Sequence, residues 1–289
     1  MNVLISGAHG LIGRALTAKL QAGGHAATAL SRSPRPDEIS WDFDGAQLEA
    51  FDAVVHLAGE SIASGRWTAA KKAAILESRV SLTTKLSEAL AMLERPPRTL
   101  IVASAIGFYG DRPGEVLDEG SSSGDGFLAE VCRQWEAAAE PARAAGIRVA
   151  HSRFGIVLSP HGGALKPLLA VFKLGLGGPI GSGRQMWSWI ALEDVASALV
   201  HVLVTDNIAG PINFTAPSPL PERDFATVLG RVLRRPAFTP LPAFAARLVL
   251  GEMANELLLS DQNVRPTRLL DSGYSFAFTD LEAALPSML

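Results

Sequence analysis

Asn2-Val-Leu-Ile-Ser-Gly-Ala-His-Gly-Leu-Ile-Gly13 is the stretch of sequence that decides the fold. Its first five residues form a short apolar run followed by a glycine, which is typical of a buried parallel strand. Apolar residues then recur at three-to-four spacing as far as Leu20, as on the inner face of a helix, and Gly23-Gly24 ends that pattern. The chain therefore opens with a strand, a tight turn and a helix.

The same alternation continues along the first half of the chain. Further strands are predicted at 26–30, 53–57, 99–104 and 147–154, and helices at 68–94 and 127–145. Pro96-Pro97 ends the longer helix because proline cannot continue it. Strands that alternate with helices form a parallel sheet covered on both faces, and the right-handed crossover rule favours a doubly wound α/β fold.

The alternation becomes irregular after about residue 158, where glycines and then prolines cluster. We therefore expect a main domain over 1–158, to which a strand and a helix within 186–215 return. The segments 159–185 and 216–289 are predicted to form a small C-terminal substrate domain, with a ligand cleft between the two domains.

The composition indicates an ordinary globular protein. Of 289 residues, 48% are hydrophobic and 19% are charged, which excludes a disordered chain. The net charge of −3 gives no electrostatic footprint for nucleic acid or for an anionic membrane. The single cysteine, Cys132, excludes an internal disulfide framework and fits a reducing compartment. We expect a cytoplasmic protein, because neither a secretory signal nor an apolar run of about 18 residues is present.

The glycines at positions 7, 10 and 13 have the spacing G-x-x-G-x-x-G between the first strand and the first helix. Gly7 permits a tight turn, Gly10 lets the backbone approach a phosphate, and Gly13 lets the helix pack on the strand. Free amides and the positive end of the helix dipole then face an anion. We expect this loop to bind the pyrophosphate of a dinucleotide, although glycine-rich turns also occur without a ligand.

The end of the second strand indicates which dinucleotide is bound. An acidic residue at this place would bond the 2′-hydroxyl of the NAD ribose. The sequence here is Ser31-Arg32-Ser33, without an acid, and the fork of a guanidinium suits a 2′-phosphate. We therefore predict NADP(H), with a solvated surface arginine as the alternative.

Several motifs resemble the extended short-chain dehydrogenase/reductase superfamily, the group of nucleotide-sugar epimerases and dehydratases. They are Gly7–Gly13, His56–Glu60, Ser104–Gly110, Arg153–Val157 and Trp189–Asp194. Other stretches are similar to one branch, the epimerase-family proteins of largely unknown substrate: Ser78–Val80, Cys132–Glu136, Gly175–Gln185 and Gly251–Met253. The resemblance covers essentially the whole chain and implies a Rossmann-type domain that binds NADP(H).

The resemblance also implies which residues contact the cofactor. These are Gly7, His9, Gly10, Leu11 and Ile12 at the pyrophosphate, Ser31 and Arg32 at the 2′-phosphate, Leu57, Ala58 and Gly59 along the adenosine and ribose, and Phe154 and Val157 near the nicotinamide. Arg79 stands where the superfamily usually has asparagine. It would hold a phosphate or the nicotinamide ribose, with a structural ion pair as the alternative.

The proton-transfer residues of the superfamily are missing. In the usual Tyr-x-x-x-Lys pair, the tyrosine exchanges a proton and the lysine lowers its pKa. The corresponding positions hold Leu128 and Cys132, and neither can do this. The remaining catalytic candidates are Ser104, Tyr109 and Arg79, although each has a purely structural alternative. Glu60 and Arg184 are candidates for binding substrate, Arg184 through an anionic group, and both could instead be solvated.

Two functions from different classes remain. The first is an NADP(H)-dependent oxidoreductase or epimerase-like enzyme for a carbonyl or sugar-type small molecule, in which the cofactor carries the hydride. The second is a non-catalytic NADPH-binding regulator or sensor, which would explain the missing Tyr-x-x-x-Lys pair; some members of the branch are also described as cell-division inhibitors. We favour the enzyme because the loop Gly175–Gln185 resembles a segment built to close over a ligand. No zinc-binding pattern, P-loop or serine hydrolase motif competes. Some relatives dimerise through two helices of the sheet domain, which leaves room for a homodimer.

Overall fold

The computed structural model describes residues 1–49 and 51–289, and a parallel sheet of seven strands lies at its centre. In chain order the strands are β1 (Asn2–Ser6), β2 (Ala26–Ser31), β3 (Ile39–Ser40), β4 (Ala53–His56), β5 (Thr99–Ala105), β6 (Val116–Leu117), β7 (Arg148–Phe154), β8 (Ile156–Ser159), β9 (Gly162–Gly163), β10 (Met186–Trp187), β11 (Trp189–Ala191), β12 (Gly210–Phe214), β13 (Leu220–Pro221) and β14 (Asn263–Val264). The large sheet has the order β12-β7-β5-β4-β1-β2-β3. The direction of winding reverses between β1 and β4, so a crevice lies there at the carboxyl ends of the strands.

Helices cover both faces of this sheet. In chain order, including those that lie outside this sheet, the helices are α1 (Leu11–Ala22), α2 (Ala69–Ala91), α3 (Phe127–Ala137), α4 (Glu140–Ala144), α5 (Leu165–Lys173), α6 (Leu192–Val204), α7 (Glu222–Leu233), α8 (Ala243–Leu250), α9 (Glu252–Ala254), α10 (Thr267–Asp271) and α11 (Leu281–Met288). Helix α1 packs against α6, and α2 packs against α3 and α4. Right-handed crossovers that run in opposite directions from β1 and β4 place α1 and α2 on opposite faces, and the packing of α6 on α1 puts α6 on the face of α1. Within the described residues, no helix combines the length and the apolar character that crossing a bilayer requires.

The strands at the centre of the sheet are buried on both faces. Val3, Leu4 and Ile5 of β1 and Val54 and Val55 of β4 are completely buried. Consecutive side chains of a strand point to opposite faces, so such runs form only where helices cover both sides. The predicted doubly wound α/β fold is confirmed.

Two of the differences from the sequence prediction are explained by proline. The helix predicted over 127–145 is divided, because α3 ends at Ala137 and Pro141 lies in the first turn of α4, where its missing amide is tolerated. Strand β12 was not predicted, since Gly210-Pro211 interrupts its apolar pattern. Proline fits there because β12 is an edge strand of the sheet.

A second hydrophobic core, formed mainly by α5, α7 and α11, lies beside the large sheet. Trp189 and Phe225 are among its buried residues. The strand predicted near residue 188 is β11, and it pairs with β8 in a small three-stranded sheet instead of joining the large one. Ile190 of β11 packs into the main core while Trp189 packs into the second core, so both parts of the chain share this small sheet.

Candidate cofactor and substrate site

The glycine loop between β1 and α1 has no room for side chains. Gly7 has φ +73°, and a Cβ on it would lie 2.9 Å from the carbonyl carbon of Leu57. A Cβ on Gly13 would lie 2.2 Å from the carbonyl oxygen of Gly7. The Gly10 amide donates to this same oxygen at 2.9 Å, which closes the turn. Gly7 and Gly13 are therefore needed to hold the loop against the ends of β1 and β4, while a Cβ on Gly10 would crowd the Gly7 oxygen at 3.1 Å.

The first turn of α1 is open to an anion. Its N-cap is Gly10, no side chain caps its amides, and its first turn contains no acidic residue. His9 is exposed, and its Nε2 lies 3.0 Å from Oε1 of Glu38, a residue just before β3. Leu11 is covered by the hairpin of β8 and β9, because a Cβ on Gly162 would meet its side chain at 3.4 Å. The helix dipole thus points at a place that the chain leaves free of negative charge, apart from Glu38.

The end of β2 carries an unpaired cation. Arg32 is exposed, and among the residues that the structure describes no carboxylate lies within ion-pair distance of it. The Ser31 hydroxyl accepts a hydrogen bond from the Ser33 amide at 3.2 Å and so shapes the turn beneath Arg32. The first acidic residue after this strand is Asp37. A phosphate at this place would therefore find a guanidinium and a hydroxyl, and the carboxylate whose charge reaches Arg32, that of Glu60, forms its ion pair with Lys71 instead.

The ends of β1 and β4 are joined through one buried hydroxyl. Ser6 Oγ lies 2.5 Å from Nδ1 of His56 and accepts the amides of Leu57 and Ala58 at 3.2 and 3.3 Å. Burial lowers the pKa of His56 to about 4, so its ring is neutral at physiological pH. His56 thus supports the backbone of Leu57, Ala58 and Gly59, which borders the crevice.

Arg79 extends from α2 across the end of β4. Its Nη1 donates to the carbonyl oxygens of Glu60 and Ile75 at 3.0 and 3.1 Å, and its guanidinium carbon lies 4.9 Å from the centroid of the Trp135 ring. The same carbon would lie 3.2 Å from a Cβ on Gly59. Burial lowers the pKa of Arg79. Nη2 has no acceptor among residues 1–49 and 51–289, and Arg79 forms no ion pair there, so one edge of the guanidinium is available to a ligand.

Glu60 follows Gly59 and is paired with a lysine. Lys71 Nζ, in the first turn of α2, donates to Glu60 Oε1 at 2.5 Å and to Ser64 Oγ at 2.7 Å. This hydrogen bond is the main reason why the pKa of Glu60 is lowered. The side chain of Glu60 is 39% exposed, so the carboxylate faces solvent and is ionised.

Ser104 lies at the end of β5 in a buried polar network. Its hydroxyl donates to Glu136 Oε1 at 2.7 Å, and Arg153 Nε and Nη2 donate to the two oxygens of the same carboxylate, both at 2.8 Å. Ser104 and Arg153 stand opposite each other on β5 and β7. Glu136 belongs to α3, so this network connects the helix to the sheet edge. Ser104 is 2% exposed in this arrangement.

Tyr109 is the far member of the same network. Its hydroxyl donates to Asn213 Oδ1 at 2.7 Å and accepts from Arg153 Nη1 at 3.0 Å. The side chain is completely buried, and this burial is the main reason why its pKa is raised. The structure therefore places Tyr109 inside the protein as a link between β7 and β12 and gives it no access to a substrate.

Leu128 and Cys132 occupy the face of α3 where the tyrosine and lysine of the superfamily would stand. Leu128 packs on Gly107, whose Cβ would lie 3.1 Å from that of Leu128. The Cys132 thiol donates to the carbonyl oxygen of Ala105 at 3.7 Å. Burial raises the pKa of Cys132 to about 11, so the thiol keeps its proton at neutral pH. Neither side chain can take over the chemistry of a Tyr–Lys pair.

The chain bends sharply between β7 and β8. A Cβ on Gly155 would lie 2.5 Å from the carbonyl oxygen of Ser188, so only glycine fits at the bend. Phe154 before it is buried against Phe214 at a centroid distance of 5.2 Å. Val157 after it is half-buried against the main core. Both border the carboxyl edge of the sheet.

Arg184 is exposed in the loop after α5. Its amide donates to Ser182 Oγ at 3.2 Å, but no ion pair holds its guanidinium among the residues that the structure describes. The structure shows no contact between Arg184 and the groups at the edge of the sheet, so its role in binding substrate stays a prediction.

The chain around Glu256, here called the C-terminal segment, caps the start of α3, the helix that carries Cys132. Glu256 Oε1 accepts the amide of Phe127 at 3.1 Å, and Oε2 accepts that of Leu128 at 3.2 Å. Gly126 has φ +105° and lies directly beneath this carboxylate. Arg66 Nη2 also donates to the carbonyl oxygen of Leu248 at 3.0 Å. The C-terminal segment is thereby held against both the loop before α2 and the start of α3.

Sequence reasoning missed three charged residues at this edge: Glu136, Lys71 and Glu256. The signal for Glu136 was Arg153, a charged residue in the interior of an apolar strand, because such a residue needs a buried partner. Lys71 and Glu256 offered no local signal, since each lies in an ordinary polar context and finds its partner through the fold.

Comparisons with known proteins agree with this arrangement. Residues 3–214 match the family model described as the NAD dependent epimerase/dehydratase family, and residues 241–288 match a domain of unknown function, DUF1731. The chain is 42% identical to the epimerase family protein Mb2239 of Mycobacterium bovis over 290 residues, which cover 98% of this chain and 96% of the relative.

Two solved structures extend the likeness to three dimensions. The human epimerase family protein SDR39U1, crystallised with NADPH, has a TM-score of 0.92 at 38% identity and covers 100% of this chain and 99% of its own. A nucleoside-diphosphate sugar epimerase from Corynebacterium glutamicum has a TM-score of 0.83 at 40% identity, and this chain covers 58% of that longer one. The predicted cofactor, NADP(H), is the one present in the human structure. On these matches, and on a glycine loop at the edge of a doubly wound sheet, this chain is a member of the NAD dependent epimerase/dehydratase family.

Proposed function

We propose that this protein binds NADP(H) along the carboxyl edge of the large sheet and uses it to transfer hydride to or from a carbonyl or sugar-type small molecule. The observation that carries the proposal is the glycine loop, in which Gly7 and Gly13 leave no room for a Cβ and the N-terminus of α1 has no side-chain cap. A pyrophosphate would satisfy those amides. The NADPH in the human relative supports this assignment.

The residues present fit the phosphorylated cofactor better than NAD. Arg32 is an exposed guanidinium without a carboxylate partner, and Ser31 lies beside it. The free edge of Arg79 offers a second cation over Gly59. His9 would exchange its contact with Glu38 for one with the pyrophosphate. These groups hold the cofactor through charge-assisted hydrogen bonds, which are about twice as strong as neutral ones.

When bound, the cofactor would supply or accept the hydride, and the chain has to orient and polarise the substrate. The accompanying proton would be exchanged with solvent water, because Leu128 and Cys132 cannot transfer it. Ser104 is the hydroxyl that can do this. Turning its O–H from Glu136 towards a carbonyl oxygen would leave Glu136 held by the two arms of Arg153. The Glu136–Arg153 pair therefore keeps the end of β5 in place while Ser104 changes partner. Tyr109 has no part in this chemistry because both functions of its hydroxyl are engaged inside the protein.

One observation favours a second candidate function, a non-catalytic NADPH-binding regulator or sensor. Leu128 and Cys132 replace the proton-transfer pair, and the Cys132 thiol stays protonated in its buried position. A protein with Leu128 and Cys132 on α3 would bind the cofactor and respond to whether it is NADPH or NADP⁺, without converting a substrate.

Calorimetric titration of the ligand-free protein tests whether it binds NADP(H). We expect heat of binding with NADPH and with NADP⁺, and a much weaker signal with NADH; silence with all three would refute the proposal. A panel of carbonyl compounds and nucleotide sugars is then tested for loss of the NADPH absorbance at about 340 nm.

The Ser104→Ala variant distinguishes enzyme from sensor. We expect it to bind NADPH normally and to lose turnover by about 10²-fold or more, as for removal of an oxyanion donor. Ser81→Ala, at an exposed position on α2, is the matched control and should leave both unchanged. Tight binding of NADPH by the parent protein, without turnover of any compound in the panel, would indicate a sensor instead of an enzyme.

A further inference from the structure

The small domain exposes a group of large apolar side chains, here called the apolar patch. It consists of Val171, Leu174, Leu176, Phe238, Leu241, Phe244, Leu248 and Val249. These are eight of the fourteen large apolar side chains that the described residues expose, so exposure is concentrated here instead of scattered. Phe238, Leu248 and Phe244 expose 78, 74 and 72% of their surface, which means that they project from the protein. Grouped exposure of this kind marks an interaction surface.

Two segments bring these side chains together. The amide of Thr239 donates to the carbonyl oxygen of Gly177 at 3.1 Å, and that of Leu241 donates to Pro179 at 2.9 Å, so residues 238–241 run along the loop that follows α5. Pro242 then starts α8, in which Phe244 and Leu248 lie at i and i+4 and share one face, with Val249 beside Leu248. The end of α5, the loop and α8 therefore form one continuous surface.

The two segments that build the patch carry only positive charge, and the nearest acidic residue along the chain, Glu252, is paired with Lys72. Residues 160–185 and 231–251, the two segments that build it, contain no aspartate and no glutamate. They contain seven basic residues, all exposed: Lys166, Lys173, Arg184, Arg231, Arg234, Arg235 and Arg247. Of these, only Arg231 forms an ion pair in the described part of the chain, with Glu282. The net charge of −3 for the whole chain conceals this local excess.

The charge decides what kind of partner fits. A second copy of the same patch would bring two positive surfaces together around a symmetry axis, and like charges oppose such contact. An anionic partner gains from every cation. Because the aromatic and leucine side chains project individually, they suit a medium that yields to them more than a rigid protein surface, which requires complementary shape.

We propose that the apolar patch docks this protein on an anionic lipid surface. Phe238, Phe244 and Leu248 enter the boundary between head groups and acyl chains, and Lys173, Arg234 and Arg235 pair with the negatively charged head groups. Combined apolar insertion and basic attraction is how a surface-bound protein holds to a membrane that it does not cross. This inference is independent of the proposed cofactor chemistry.

Co-sedimentation with vesicles tests the proposal on the full chain. Vesicles of phosphatidylcholine are compared with vesicles containing about 30% phosphatidylserine, each at low and at high salt. We expect the protein to sediment with the anionic vesicles, to stay free with the neutral ones, and to be released as salt screens the charges.

Two double variants assign the binding to the patch. The variant Phe238→Ser/Phe244→Ser, which removes the apolar insertion, should weaken vesicle binding about tenfold or more. The variant Arg234→Glu/Arg235→Glu should weaken it by at least as much, because each cation near an anionic surface contributes about fivefold. Matched controls on the large-sheet domain are Met92→Ser, an 85% exposed side chain, and Lys19→Glu/Arg98→Glu. The controls should bind as the parent does. Circular dichroism and NADPH affinity verify that every variant is folded.

Four results would overturn the proposal. They are an absence of binding to anionic vesicles, binding that the patch variants do not reduce, a shift in oligomeric state by light scattering that the patch variants abolish without any vesicle binding, and capture by polyglutamate but not by vesicles. The third would assign the patch to a second copy of the chain, and the fourth to an acidic protein.

Discussion

Replacing Arg32 by alanine is the sharpest test of the cofactor assignment, because the structure separates the effect on binding from any effect on folding. Arg32 is exposed and has no ion-pair partner among the residues described. Its removal should therefore change the free energy of unfolding by no more than about 0.5 kcal/mol. Any large change in affinity must then come from the lost contact with the ligand.

The magnitude follows from the kind of bond that is lost. A hydrogen bond to a charged group contributes about 1.5–3 kcal/mol, and every 1.4 kcal/mol is a factor of ten in affinity. Arg32→Ala should weaken NADPH binding roughly 10- to 150-fold and leave NADH binding nearly unchanged. Arg32→Lys keeps the charge but loses the fork of the guanidinium, so it should fall between the two.

Calorimetric titration of the parent and the variants with both cofactors measures this selectivity. Arg35→Ala is the matched control, since Arg35 is an exposed arginine three residues away in the same loop. It should bind NADPH as the parent does. An equal loss of affinity for NADPH and NADH in Arg32→Ala would refute the role of Arg32 at a 2′-phosphate.

Three further outcomes are expected. Gly13→Ala should weaken NADPH at least about tenfold and destabilise the fold by about 1–3 kcal/mol, because the new Cβ would lie 2.2 Å from a backbone oxygen; unaltered calorimetry and melting would contradict the loop geometry. Tyr109→Phe should lower the free energy of unfolding by about 1–3 kcal/mol in urea titrations while NADPH affinity stays the same, since Asn213 and Arg153 lose a buried partner. Loss of cofactor binding in this variant would instead place Tyr109 in the site. Burial raises the pKa of Glu222 to about 7 in the folded protein, so the stability from its protonated form is complete below about pH 4.5 and is lost as pH rises through about 7. Relative to Glu222→Gln, the parent should therefore lose about 3 kcal/mol between pH 5 and pH 8, and parallel pH curves for the two proteins would disprove it.

The fold and the phosphate loop could be predicted because both are written in local patterns. The run from Asn2 to Gly13 contains a buried strand, a turn that only glycine can make and the start of a helix, and each depends on neighbours within a few residues. Pro141 was a local signal as well, and it marks the place where the predicted helix is divided. The resemblance to the short-chain dehydrogenase/reductase superfamily rests on the same local motifs and is confirmed by the match over residues 3–214.

The polar network could not be predicted, because its members meet only through the fold. Tyr109 was a candidate for polarising a carbonyl from its place after a strand, but its partner Asn213 lies 104 residues further along the chain. Ser104 and Glu136 are brought together by the packing of α3 on the sheet. The positive charge around the apolar patch was not predicted for a different reason. The net charge is a sum over the whole chain, so it does not show that basic residues cluster in one place.

The carboxylate of Glu256 at the start of α3 makes the last part of the chain indispensable to the rest. Without it, the amides of Phe127 and Leu128 would lose their acceptors, and the first turn of that helix would fray. A fragment that stops before residue 241 would therefore leave the start of α3 without its carboxylate acceptor. Hydrogen exchange at the two amides would report how often the chain around Glu256 leaves that helix.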